Sequence, residues 1–409
     1  MSIKIKSIYN FLLITLIVSQ VFGLYGLLGG VLSPARILAV VLLIPIFANK
    51  FFTRFLKKEQ FLMFFLVFTI GYSFVLILIY QSDRSINYLV YLALNLILLF
   101  EVVFLSNLLD KPYLTIWKAY LIFISITIPI AIVELMFDLH LSVSYLEADQ
   151  VRGASSLKKV FASVTFGNYN LYNFILVVST PILSSFFLSN YSKSSFLKWY
   201  TTVVLIVIFV IIVMNGSRAA TINYVLSMAA FSWYYFKVKR FNKLFFLRSV
   251  LLIIPIIGLA IYYFLNSDIS TYLLYRITNS GFEDNLRLQL IMSGLAMTAD
   301  SYLIGVGPAN YEEQLEKMGS TWFIARPHNM FIELLAEMGI FVFVLFVVLL
   351  FKIYKNIKYV PIHIKYVLVA SLLTMPLNFV INSNYVYNVY MWMYFAALYV
   401  LSQTRKVKY

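Results

Sequence analysis

Twelve apolar stretches set the terms for this chain, beginning near Ile8, Ala35, Gln60, Ile86, Leu114, Phe166, Phe196, Ala219, Leu244, His328, His363 and Tyr385. Each is long enough to cross about 30 Å of hydrocarbon as a helix rising 1.5 Å per residue. With 62% hydrophobic residues, 12% charged residues and a mean hydropathy of +0.87, the chain is too apolar for one soluble core to hide. The expectation is an all-α polytopic membrane protein of about twelve transmembrane helices, with residues 1–409 forming a single membrane domain. The lack of cysteine excludes disulfides, thiolate metal sites and cysteine nucleophiles.

The chain start, MSIKIKSIYNFLLITLIVSQVFGLYG, has a basic end and a long apolar core with no small-x-small cleavage site after it. It is expected to remain as the first helix. Placing that end in the cytoplasm puts NKFFTRFLKK, KVKRFNK, KIYKNIKYVPIHIK and the tail TRKVKY on the inner side. The count is then 22 Lys and Arg inside against 10 outside, which sets both termini in the cytoplasm by the positive-inside rule. The same asymmetry accounts for the formal charge of +15 without a nucleic-acid partner. Two longer connections then face outward, one around 137–161 and one at 266–327, the large extracytoplasmic loop between spans 9 and 10.

The inner set is mostly lysine (18 of 22) and the outer set mostly arginine (7 of 10). Lysine is enough for a topology signal, whereas arginine suits bidentate contact with phosphate or carboxylate oxygens. The outer arginines are Arg36, Arg84, Arg152, Arg218, Arg276, Arg287 and Arg326; some of these would serve only as solvated residues or headgroup anchors. In the large loop, residues 285–303 have apolar positions at helical spacing, which predicts a helix lying on the membrane face. It ends in GVGPAN, read as a turn because no strand precedes it and a third glycine is missing. The acids Glu283, Asp284, Asp300, Glu312, Glu313 and Glu316 show no metal-ligand spacing and read as a solvated face.

Only residues 215–218 separate two spans in MNGSRAAT, which places Arg218 at the outer headgroup plane, the depth of a lipid-linked phosphate. In RPHNMFIELLAEMG, His328 stands where a polar run meets a long apolar one, as a helix cap or as a chemical group at the bilayer surface. Three segments follow in order: QVRGASSLKKVFASVTFGNYNLYN, NGSRAATINYVLSM, and FEDNLRLQLIMSGLAMTADSYLIGVGPANYEEQ running on to RPHNMFIELLAEMG. Together they resemble the O-antigen polymerase and ligase superfamily. The likeness lies in an arginine before a Gly/Asn-containing helix entry, then Ser-Arg at a tight outer hairpin. An arginine-led helix running to Gly-x-Gly-Pro follows, and His-Asn opens the next span. Its most specific part covers residues 201–351.

The resemblance implies a membrane glycosyltransferase fold of GT-C-like type that needs no metal and no cofactor. It implies Arg218 and Arg287 as binders of a lipid diphosphate, Arg152 as a looser match, His328 as the catalytic histidine, and undecaprenyl diphosphate-linked oligosaccharides as donor and acceptor. A chain-length regulator and a flippase of the same pathway are implied partners, and the bacterial cytoplasmic (inner) membrane, with the site on its outer face, is the implied location. Residue chemistry agrees. A departing diphosphate needs its charge stabilised, which arginines can do, and the acceptor hydroxyl needs a base, which histidine can be near neutral pH. Asn329 would position the acceptor or the imidazole. Glu333 and Glu337, roughly 7 and 13 Å along the helix, would hold a polar cavity open or pair with outer arginines.

Two readings stay open within the resemblance. A polymerase joins repeat units still on the carrier, while a ligase moves the finished glycan to a lipid A core or a protein. The ligase pattern has His-Asn, nine residues, then Gly-x-x-Gly, Thr or Tyr. Gly339 fits, but the last position is Val342, which tilts the reading towards a polymerase. A glycolipid flippase or secondary transporter should show repeated halves or midplane ionisable groups, and the chain instead concentrates arginine on the outer face.

Overall fold

The computed structural model describes residues 3–23, 33–80, 85–141, 161–191, 194–238, 280–319, 327, 329–381, 385–386 and 388–404, mostly helical, with no strand among them. In chain order the α-helices are α1 (Ile3–Val18), α2 (Pro34–Phe47), α3 (Phe52–Lys58), α4 (Gln60–Tyr80), α5 (Ser85–Asn107), α6 (Pro112–Phe137) and α7 (Tyr169–Ser184). Then come α8 (Ser195–Met214), α9 (Arg218–Val238), α10 (Ser280–Asp300), α11 (Tyr311–Lys317), α12 (Met330–Tyr354), α13 (Ile362–Ile381) and α14 (Val389–Ser402). The expected span near Leu244, and Arg84, Arg152, Arg276, Arg326 and His328, lie outside the described residues.

Seven of these helices are long and apolar enough to cross a membrane: α4, α5, α6, α7, α8, α12 and α13. An eighth span results if α2 and α3, bent by 102°, count as one. The chain is a membrane protein. The other described stretches expected to span differ in length or composition. Val389–Ser402 is apolar but, at 14 residues, reaches only about 21 Å. It is buried along its whole length, so it serves as the core of the bundle, packed on α5. Around it Trp392 and Phe395 meet Phe346 of α12, and Phe395 also meets Phe379 of α13.

Packing here is van der Waals interlocking rather than escape from water, because lipid tails are as apolar as leucine. Polar groups inside the bundle are therefore satisfied locally. In α7, Ser179, Thr180 and Ser184 each donate to the carbonyl four residues back, at 2.7 to 2.9 Å. α1 lies on α6, α9 and α7 lie on α13, and α10 lies on α12. The helix expected over residues 285–303 is present as α10. Leu290, Met297, Val306, Tyr311, Leu315 and Ala336 form a small second core that docks α10 and α11 onto the first stretch of α12.

Candidate functional site

The hairpin before α9 is built by four residues. Asn215 closes α8, Gly216 turns the chain at φ 66°, and Ser217 starts α9, its carbonyl accepting from the Thr221 amide at 3.0 Å. Arg218 is then the first residue of α9 and is exposed. A cation at the positive end of a helix dipole is poorly placed unless an anion joins it, whereas the unpaired amides and the guanidinium together suit an oxyanion.

Asn215 faces inward. Its Oδ1 accepts from the Ala162 amide at 2.7 Å, and its Nδ2 donates to the Ala162 carbonyl at 3.2 Å and to Asn173 Oδ1 at 2.8 Å. The neighbouring amides of Ser163 and Val164 donate to Glu134 Oε2 at 2.8 and 2.7 Å. His140 stacks on Phe161 with ring centres 4.5 Å apart, while its Nε2 lies 3.1 Å from Asp138 Oδ1 and its Nδ1 3.6 Å from Glu134 Oε1. The end of the Arg152 segment is thus fastened to the Ser-Arg hairpin by side chains from α6 and α8.

The GVGPAN turn enters a break in α12. Gly339 has φ 65° and ψ −174°, a conformation open in practice only to glycine. There the chain threads in. Val306 N donates to Ala336 O, Gly307 N to Glu337 O and Ile340 N to Leu303 O, each at 2.9 Å. A Cβ at Gly339 would stand 2.1 Å from the Ile304 carbonyl oxygen, and one at Gly305 2.5 Å from the Gly339 nitrogen. Tyr72 of α4 closes the junction, donating to Ile304 O at 2.8 Å. Glu337 is buried and accepts from the Ala309 amide at 2.8 Å and the Tyr311 amide at 3.3 Å, so it serves this turn rather than an open cavity. The Tyr311 hydroxyl donates to the Leu290 carbonyl. Burial first, and then the Glu333 and Glu337 carboxylates, push that hydroxyl above its usual range and keep it a donor.

These contacts bring three expected site residues to one end of the bundle. Asn223, five residues into α9 from Arg218, donates to Asn378 of α13. The next residue on α13, Phe379, meets Phe331 edge-on at 4.8 Å, two residues after Asn329. α10 and the start of α12 run in the same direction, since a Cβ at Gly294 would stand 2.6 Å from Ile332 and Ile304 sits against Gly339. Arg287, seven residues before Gly294, is therefore about 10 Å further out along α10, at the end where α12 begins. It is half-buried. Arg152 and His328 lie outside the described residues, although Pro327 and Asn329, which flank His328, are within them.

Asn329 caps α12. Its Oδ1 accepts from Phe331 N at 3.1 Å and Ile332 N at 3.3 Å, so contact with a substrate would come from Nδ2, as a donor. Among the other outer arginines, Arg36 is buried with its guanidinium 4.5 Å over the Tyr91 ring, which makes it an internal cation–π partner and not a headgroup anchor. Nothing in the sequence around Asn215, Glu134 and Gly339 points to these roles. Val342 is buried three residues past the Gly339 break, and Phe331, near the start of α12, meets the ring of the next residue, Phe343, at 6.4 Å.

No curated protein matches the chain. Residues 203–347, which hold Arg218, Arg287, His328, Asn329 and Gly339, match the family model described as O-antigen ligase, in agreement with the resemblance to the O-antigen polymerase and ligase superfamily.

Proposed function

We propose that the chain is a repeat-unit polymerase acting at the outer face of the bacterial cytoplasmic membrane. It transfers an undecaprenyl diphosphate-linked glycan onto a sugar hydroxyl of a second lipid-linked unit. The observation that carries this reading is the convergence of Arg218, Arg287 and Asn329 at one end of the bundle, beside the position of His328 in sequence. In the reaction the acceptor oxygen attacks the anomeric carbon and the bond from that carbon to the diphosphate oxygen breaks. The diphosphate leaves with the bonding pair. Arg218 and Arg287 stabilise its charge by forked hydrogen bonds, with Arg152 as a third contact. His328 takes the proton of the acceptor hydroxyl, and Asn329 orients the acceptor through its amide N–H. Because the leaving group is a good one, no general acid is needed, and charge is met by arginine without a metal. A chain-length regulator and a flippase would work beside it.

The family match favours a second reading, a ligase, which differs only in the acceptor.

Deletion with glycan analysis distinguishes the two readings. A missing polymerase leaves single repeat units, and a missing ligase leaves long chains on the carrier lipid. Variants purified and assayed on lipid-linked units test the residues. His328→Ala should lose about 10²- to 10⁴-fold in turnover at normal protein level, and Arg218→Lys should lose much of it because lysine keeps charge without the fork. Near-wild-type turnover by His328→Asn, a good cap that accepts no proton at neutral pH, would remove the histidine from the mechanism.

A further inference from the structure

A second concave site lies at the opposite end of α12 from Asn329. It is a cavity of about 1080 Å³ between the α3–α4 junction, the end of α12, the turn before α13 and the end of α14. Its walls carry Lys58, Lys352, Lys355 and Lys358, with one carboxylate, Glu59.

The carboxylate is already committed. Glu59 is 3% exposed, and its Oε2 accepts from the Tyr399 hydroxyl at 2.6 Å and from Gln403 Nε2 at 3.3 Å. Its Oε1 lies 3.4 Å from the Lys58 ammonium, which also donates to Asn107 and to Gln403. Glu59 and Lys58 therefore form a polar floor that ties the start of α4 to the end of α14. The other three lysines make no ion pair among the described residues. Lys352 Nζ sits 4.1 Å over the Phe61 ring and Lys358 Nζ 4.9 Å over the Tyr359 ring. Topology alone asks only for lysines on inner loops. Four lysines against one carboxylate leave the lining with a net positive charge that favours entry of an anion.

We propose that this cavity, lined by four lysines against one carboxylate, binds a phosphate-bearing anion through Lys352, Lys355 and Lys358. The volume suits a headgroup-sized ligand. Lysine, a compact point charge with three donors, suits a phosphate that presents no fixed fork to match. The anion can arrive as the headgroup of an anionic lipid in the adjoining leaflet or as free phosphate from water. Lys352 of this lining lies over Phe61, on a helix long and apolar enough to cross a membrane, and Tyr359 is exposed, so either route is open to test. The site is independent of the transfer reaction proposed at the other end.

The test uses the full chain in nanodiscs of phosphatidylcholine, with or without phosphatidylglycerol. Lipid retained on the released protein is read by native mass spectrometry, and thermal shift is followed as inorganic pyrophosphate is titrated into the neutral discs. Phosphatidylglycerol should be retained over phosphatidylcholine, and each lysine lost should weaken that preference about fivefold, the factor corresponding to ~1 kcal/mol per cation near the surface. Lys355→Gln/Lys358→Gln removes two exposed charges and reads the effect even if adding Lys352→Gln impairs folding. Lys355→Arg/Lys358→Arg should restore binding. A pyrophosphate shift without lipid preference assigns the same site to a soluble anion. If neither probe discriminates, or if the double Gln variant binds both as wild type does, the proposal fails.

Discussion

The two segments that carry Arg218 and Arg287 reach the same end of the bundle but are fastened in different ways. The Arg218 hairpin is held by side chains: Asn215 clasps both backbone groups of Ala162, and Glu134 receives the next two amides. The Arg287 segment is held by backbone, with the turn after α10 threaded into the Gly339 break and paired to the carbonyls of Ala336 and Glu337. A side-chain clasp can be weakened one hydrogen bond at a time. A backbone clasp depends on missing side chains, so any Cβ at Gly305 or Gly339 meets main-chain atoms that cannot move aside.

That contrast can be broken most severely at Gly339. In Gly339→Ala the new methyl would lie 2.1 Å from the Ile304 carbonyl oxygen, in a backbone region closed to alanine. The expected cost is about 3 kcal/mol or more, read as a lower melting temperature and as protease sensitivity between α10 and α12. Unchanged stability would mean that the turn does not thread the helix.

The side-chain clasp should fail more gently. Asn215→Ala leaves Ala162 and Asn173 with buried polar groups lacking their partner, at a cost of about 1–3 kcal/mol. Asn215→Asp keeps an acceptor for the Ala162 amide, but it loses both donations and sets a charge beside Asn173. If the clasp positions Arg218, both variants should raise KM for the lipid-linked donor more than they lower kcat. A loss of stability with unchanged KM would make Asn215 structural only.

The difference between the clasps also explains what the sequence could reveal. The order of Arg218, Arg287 and His-Asn, and the start of each described span, are carried by local patterns: a four-residue hairpin, an apolar run, a polar-to-apolar boundary. The break at Gly339 is not local, since one glycine in an apolar helix pattern signals only a small loss of propensity. Its cause, Ile304, lies 35 positions earlier in the chain. Glu337 was legible as an ionisable group that should face the protein interior, but its partners, the amides of Ala309 and Tyr311, have no side-chain signature. Arg36 shows the same limit, because its place at a span entrance reads as an anchor until Tyr91 is set beneath it.

Asn329 starts α12, the helix that the Arg287 segment threads, and substituting it should disturb stability least. Aspartate and serine are about as good caps as asparagine, so Asn329→Asp and Asn329→Ser should leave the melting temperature nearly unchanged, within about 0.5 kcal/mol. Both remove Nδ2 while keeping an oxygen for the Phe331 and Ile332 amides. If Nδ2 donates to the acceptor sugar or to the diphosphate, Asn329→Ser should lose roughly 10-fold in turnover, as for one hydrogen bond to a charged or developing oxyanion. Asn329→Asp should lose more, because its charge repels the diphosphate. The serine variant is decisive, since it is neutral and retains the cap: wild-type turnover there would reduce Asn329 to a helix cap and leave the site to the arginines and His328.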